Sequence, residues 1–415
     1  MSTVSAPRPA LIPEPPPSEE YPRGLALCLS GGGFRALLFH LGALRRLNEL
    51  GVLAKIDTLS ATSGGSILAA HLATLLAKDP AKKATFTPEA WAESVEAPLL
   101  ALAREDLQRG LRTFLLLARN PFRPHARVEA LAKRYEEILT PLKLRELPPT
   151  PRFVFCATDF LWSVPWTFER DQMGDRQLGW APPPDGATLA RAVAASSCFP
   201  RSISPLPAPL DPALFSGGAA SPGPVRDAAI RRLALGDGAS HSHLGLDPVW
   251  KTHTTVLVSE AGAYPKARQR KQFFPQPNPV PLGIDGEGQE IRRRRLVSGF
   301  VGGQISGTFW SISSATSSYR IPFGYSKSLA RDVLCTMRAG LDPVTDAEAA
   351  VLLNHGYLTA DAALRTHASQ LLPRIVPLLL LPDPGWSPAD PDIERRVRVA
   401  FARSGRRRRW WKTGP

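Results

Sequence analysis

The sequence predicts an α/β fold in which a mostly parallel sheet of about five or six strands lies between helices. Two observations carry that prediction. The first is a pair of consecutive strand-turn-helix units between Leu25 and Ala70, each pivoting on glycine. The second is the reappearance of apolar, strand-like runs far downstream, at Phe153 to Ala157 and His253 to Glu260.

The first unit has an apolar strand from Leu25 to Leu29, the turn Ser30-Gly31-Gly32-Gly33, and a helix. Leu37, Leu38, Leu41, Leu44 and Leu47 keep helical spacing until Gly51 stops it. The second unit repeats the plan with a strand from Ile56 to Ser60, the turn Ala61-Thr62-Ser63-Gly64-Gly65, and an apolar helix beginning near Ser66. Crossover helices between parallel strands bring neighbouring strand ends to one sheet edge, where open α/β folds place their sites.

A mainly helical stretch follows from Thr87 to Leu147, with Thr87 as N-cap and Pro88 at the first helical position. Within it, leucines from Leu99 to Leu117 are interleaved with Arg104, Arg109, Arg112 and Arg119, which suits either an insertion packed on the core or a lid. Strands resume at Phe153, and Trp162 to Phe168 alternates as the second arm of a hairpin would. Pro182 to Asp185 and Ser216 to Pro224 read as surface connections. Beyond Gly262 the expectation is a long loop to Gly286, a helix from Glu287 to Val301 and a short strand from Thr308 to Ile312. Thr345 to Glu348 has capping-box form and opens a last long helical region to about Leu372.

The chemistry is concentrated in the two turns. Three glycines in a row let consecutive backbone N–H groups turn into one concavity at a helix N-terminus, which is an anion cradle. Ser63, between strand and helix with small neighbours, has the form of a nucleophile elbow, although Ala61 stands where G-x-S-x-G has its first glycine. Either turn alone also reads as simple packing. Side by side they form a more specific signal.

Gly31-Gly32-Gly33-Phe34-Arg35-Ala36, Ser63 in its elbow, and the later triplet Asp237-Gly238-Ala239 resemble the three ordered signatures of the patatin-like phospholipases. Phe153 to Asp159 resembles that family's middle strand, and Val193 to Pro200 the loop before its substrate pocket. The resemblance spans residues 24–262, with fainter similarity through Tyr319 and near Asn354 to Arg365. It implies a three-layer α/β/α fold and a lipid or other acyl ester as substrate. It also implies a Ser-Asp dyad of Ser63 and Asp237, and an oxyanion hole from Gly31, Gly32 and Gly33. Arg35, Gly65 and Gly238 are the supporting positions. Arg35 either orients the glycine loop or meets a substrate phosphate, since guanidinium groups serve both purposes. Neither metal nor cofactor is implied.

The expected organisation is a Pro-rich flexible segment over 1–23 and a catalytic core over 24–262 containing the insertion at 87–147. A C-terminal extension over 263–400 and a basic Arg/Trp tail over 401–415 complete it. The lead-in has six prolines from Pro7 to Pro17 and no unbroken apolar run, unlike a signal peptide. No run of about 18 apolar residues occurs, so membrane contact is expected to be peripheral. The expected location is cytoplasmic, with delivery as an effector compatible with the resemblance. The net charge of +14 favours anionic surfaces, and an anionic membrane is preferred to nucleic acid as partner. The run Arg403 to Lys412, with arginines beside Trp410 and Trp411, suits such a surface or a solvated tail. Cys28, Cys156, Cys198 and Cys335 form no C-x-x-C pair and read as small buried hydrophobes.

One departure from the family pattern is Ser240-His241-Ser242-His243 after the Asp237 triplet. It raises two alternatives, a histidine base or a metal site of Asp237, His241 and His243. Two other functions compete with the hydrolase: a catalytically silent, basic membrane- or partner-binding protein, and a nucleotide binder using the glycine loop. The last lacks the G-x-x-x-x-G-K-[ST] and G-x-G-x-x-G spacings.

Overall fold

In the computed structural model, which describes residues 23–79, 85–107, 125–200, 203–262 and 286–412, the sheet is built outward from β1 (Arg23–Leu29). Leu25, Leu27 and Leu29 join the larger core on one face, and Ala26 and Cys28 join a smaller core on the other. A strand covered on both faces reads as an unbroken apolar run. The remaining strands are β2 (Thr58–Thr62), β3 (Arg152–Asp159), β4 (Val164–Phe168), β5 (Met173–Asp175), β6 (Gly179–Ala181), β7 (Leu206–Pro207), β8 (Ala234–Asp237), β9 (His253–Glu260) and β10 (Ser306–Ser311).

Five strands, in the order β10-β9-β1-β2-β3, are parallel. The other five are antiparallel and enlarge the sheet to ten strands, where the sequence predicts about five or six. The difference lies in strand length. β5, β6 and β7 have three, three and two residues, too few for an alternating pattern to register.

Among the described residues the longer helices are α1 (Gly33–Glu49), α2 (Gly64–Ala77), α3 (Ala97–Arg104), α4 (Ala126–Ile138), α5 (Leu189–Ser197), α6 (Pro224–Arg231), α7 (Gly286–Val301), α8 (Asp346–His367) and α9 (Ile393–Lys412). α1, α2, α5 and α8 contribute to the larger core, while Leu244, Leu246 and Val249 with Leu296 of α7 cover the opposite face. The architecture is three-layer α/β/α. Thr87 caps the helical turn Pro88–Trp91 by accepting from the Ala90 N–H, as its position predicts. The run Val193 to Pro200, which resembles a loop, is helical to Ser197 with Cys198 as its C-cap. All four cysteines are buried and free. The expected flexible lead-in over 1–22, the central part of the expected insertion (108–124, including Arg109, Arg112, Arg119 and Leu117) and the expected loop over 263–285 lie outside the described residues. α9 carries the backbone of the Arg/Trp run as far as Lys412.

α1 ends at a Schellman turn, with the Val52 N–H donating to the Leu47 carbonyl across Gly51, whose φ is 66°. α8 begins with the capping box: the Thr345 hydroxyl accepts from the Glu348 N–H, and the Glu348 carboxylate accepts from the Thr345 N–H. These two helices approach closely because glycines face each other's backbones. A Cβ at Gly42 would overlap the Leu353 carbonyl, and one at Gly356 would overlap that of Phe39. Arg46 and Asp361, both buried, join the pair at 2.9 Å.

Candidate active site

The pairing of β3 explains how two residues 174 positions apart meet. One edge of β3 carries β4 along Phe155 to Asp159. Along the other edge β2 pairs from Arg152 to Cys156, and β8 takes over from Ala157 to Asp159, running the opposite way. β2 and β8 therefore meet end to end. Thr62 stands opposite Cys156 and Asp237 opposite Ala157, so Ser63, one residue past β2, arrives beside the last residue of β8.

The Ser63 hydroxyl donates to Asp237 Oδ2 at 2.9 Å. Ser63 has φ 52° and ψ −116°, the strained conformation that a strand-to-helix elbow imposes on a non-glycine residue. Its neighbours must be small. A Cβ at Gly64 would overlap the Gly33 carbonyl, and one at Gly65 would stand 2.6 Å from that of Leu29. Ser196 on α5 holds the elbow from behind: its hydroxyl donates to the Cys156 carbonyl at 2.6 Å and accepts from the Ser63 N–H at 2.8 Å. The Ser66 hydroxyl lies 2.8 Å from it as well. Ser196 is present in the run Val193 to Pro200, but nothing in the sequence separates it from its neighbour Ser197.

Asp237 is almost completely buried. Its Oδ1 accepts from the Ala239 N–H at 2.8 Å, and Thr158 donates to its backbone carbonyl at 2.9 Å. Burial pushes its carboxyl up to about 7, against the lowering effect of the Ala239 and Ser63 hydrogen bonds. Gly238 is fixed by space, since a Cβ there would stand 2.5 Å from the Cys156 carbonyl.

The glycine loop packs directly on the elbow. A Cβ at Gly31 would stand 3.2 Å from that of Ser63, and Gly32 and Gly33 have φ of 142° and 60°, values that favour glycine. The three amides are not equivalent. The Gly31 N–H donates to the His243 carbonyl at 2.9 Å, whereas no hydrogen bond among the described residues engages the N–H of Gly32 or Gly33. Arg35 is wholly buried and donates to the carbonyls of Cys335, Met337 and Ala261 at 3.0, 2.6 and 2.6 Å. These bonds tie the base of the glycine loop to the segments around Ala261 and Cys335 to Met337. The Phe34 N–H also reaches the Gly340 carbonyl, so the segment from Cys335 to Gly340 backs the loop. Those carbonyls were not legible in the sequence, because backbone acceptors carry no residue signature. His40, another residue without a sequence signal, holds Ser30 from below: its Nε2 donates to the Ser30 carbonyl and its Nδ1 accepts from Ser259.

Neither histidine after the triplet touches the dyad. His243 Nε2 lies 2.9 Å from Glu260, and His241 Nε2 accepts from Arg292 at 2.9 Å. Asp237 Oδ2 accepts from the Ser63 hydroxyl and Oδ1 from the Ala239 N–H, and the described hydrogen bonds of the His241 and His243 side chains go to Arg292 and Glu260 instead. Among the described residues no group of three or more His, Cys, Asp or Glu side chains is arranged to hold a metal ion. No described helix is long and apolar enough to cross a membrane.

Comparison with curated proteins finds no match. Among solved structures, the chain is similar to human GIVD cytosolic phospholipase A2 in complex with methyl gamma-linolenyl fluorophosphonate, at 16% identity and TM-score 0.45. That match covers 84% of this chain and 59% of the human one, and a second human GIVD structure is covered over 46%. VipD from Legionella pneumophila matches at 14% identity and TM-score 0.35, over 84% of this chain and 67% of its own. The family model described as patatin-like phospholipase matches residues 27–229, which hold the glycine loop, Ser63 and Ser196 and end just before the strand that carries Asp237. This match to the patatin-like phospholipase family model covers 203 of the chain's 415 residues.

Proposed function

We propose that the protein is a serine lipid acyl hydrolase that cleaves carboxylic esters of phospholipids, lysophospholipids or related acyl esters. The observation that carries this reading is the 2.9 Å hydrogen bond from Ser63, on its strained elbow, to the buried Asp237. Asp237 takes the proton as Ser63 Oγ attacks the ester carbonyl, and the N–H groups of Gly32 and Gly33 receive the oxyanion. Gly31 shapes that cradle rather than donating into it, because its N–H is engaged by His243. The protonated Asp237 then gives its proton to the departing alkoxide, leaving an acyl ester on Ser63. Water enters, Asp237 removes its proton, and the second addition releases the fatty acid and restores the hydroxyl.

A carboxylate of ordinary pKa is a poor base toward an alcohol. Burial of Asp237 lifts it towards the working range of a general base, and the N-terminus of α2 behind Ser63 favours the developing negative charge. The family match and the Ser63–Asp237 pairing together favour this reading over a silent binding protein. Turnover of a medium-chain p-nitrophenyl ester tests it: wild type hydrolyses the ester, and both Ser63→Ala and Asp237→Asn lose at least roughly 10³-fold in rate. Full activity in Asp237→Asn would contradict the dyad.

A further inference from the structure

Arg35 is committed to three backbone carbonyls, so any cation that meets a substrate headgroup must come from elsewhere. The sheet edge that carries Ser63 supplies one. β5 is antiparallel to β4, which is antiparallel to β3; β5 therefore runs with β3 and ends at the same edge. The residue immediately past its end is Arg176, which is exposed and makes no ion pair with a described residue. Arg292 of α7 donates to His241, four residues beyond Asp237, at 2.9 Å. The positive charges of Arg292 and Arg176 both act on the His241 imidazole, which burial foremost holds below its ordinary value, with Asp247 acting in the opposite direction. With Nε2 accepting from Arg292, the ring is neutral.

The turn between β3 and β4 lies at this same sheet edge, just past Asp159, and there Leu161 and Trp162 are 58% and 38% exposed. Exposed apolar groups next to cations suit a lipid surface, whose acyl region and phosphates lie a few ångströms apart.

We propose that Arg176, Arg292 and His241 form a subsite for a phosphate-bearing lipid headgroup beside Ser63, with Leu161 and Trp162 meeting the lipid surface; this rests on the ester-hydrolase reading. It gives a role to the histidine that replaces the family's usual residues after the aspartate triplet.

The test uses the full chain carrying Ser63→Ala, so that lipid is bound and not consumed. Three probes are titrated at low ionic strength: neutral-detergent micelles containing phosphatidylglycerol, the same micelles containing diacylglycerol, and inorganic phosphate. Phosphatidylglycerol micelles bind most tightly, and adding Arg176→Glu weakens them about tenfold, Arg176→Gln less, with diacylglycerol micelles unaffected. Unchanged phosphatidylglycerol binding in Arg176→Glu, or an equal loss on diacylglycerol, overturns the subsite. Saturation by inorganic phosphate below the concentration needed for lipid overturns the headgroup assignment in favour of free phosphate. None of these titrations needs turnover, so an inability of wild type to hydrolyse esters would refute the hydrolase reading separately.

Discussion

At the residue scale, the behaviour of Asp237 follows from its surroundings. Its carboxyl is raised to about 7 by burial, so the proton-accepting form is depleted below that pH. The expected kcat/KM for a neutral ester falls about tenfold per pH unit below 7 and is flat above it, as a pH-rate profile would show. The stability consequence has the opposite sign. A carboxyl whose folded value lies above its unfolded value of about 4 favours folding while protonated, and that contribution is lost as pH rises through about 7. The loss is on the order of 4 kcal/mol at pH 8. Asp237→Asn is therefore expected to melt higher than wild type at pH 8 and close to it at pH 4, while being inactive at both. Equal melting temperatures at pH 8 would mean that the folded carboxyl titrates normally. The meeting of Ser63, Asp237 and the glycine loop was foreshadowed because a strand-to-helix elbow, an aspartate-glycine triplet and a run of glycines each leave a recognisable local run. Ser196 was not, because a hydroxyl that serves a neighbouring backbone looks like any small residue in a helix. Ser196→Ala leaves the Ser63 N–H and the Cys156 carbonyl without their shared partner, and a tenfold fall in kcat with little change in KM is expected.

At the scale of elements, the site depends on the end-to-end meeting of β2 and β8 along one edge of β3. β1, β3 and β9 could be read from the sequence because each has a central run of buried, mainly apolar residues. β7 and β8, of two and four residues, could not, since their placement is set by tertiary pairing and not by local pattern. The close approach of α1 and α8 was hidden for a related reason: Gly42 and Gly356 sit inside helices, where the sequence marks them only as weak positions. Gly356→Ala must push α8 off the Phe39 carbonyl, and a destabilisation of about 2 to 3 kcal/mol in urea unfolding is expected. No change in the midpoint would show that the two helices tolerate a wider spacing.

At the scale of the whole molecule, residues well beyond the family match hold the machinery in place. The carbonyls of Cys335, Met337 and Gly340 anchor Arg35 and Phe34 behind the glycine loop, and α8 covers α1, the helix that the loop opens. A chain ended at residue 262 would uncover Phe39, Ala43 and the rest of the buried α1 face that meets α8, and it is expected to aggregate on expression. Recovery of a soluble, active fragment would show that the C-terminal part is an accessory. The convergence of residue 63 with residue 237 and with the open amides of residues 32 and 33 is tested most directly by trapping. An alkyl fluorophosphonate, incubated with the protein at pH 8 and mapped by peptide mass spectrometry, is expected to leave one adduct, on Ser63, formed far more slowly in Asp237→Asn. An unmodified Ser63, or an adduct on any other serine at the same rate in both chains, would contradict it.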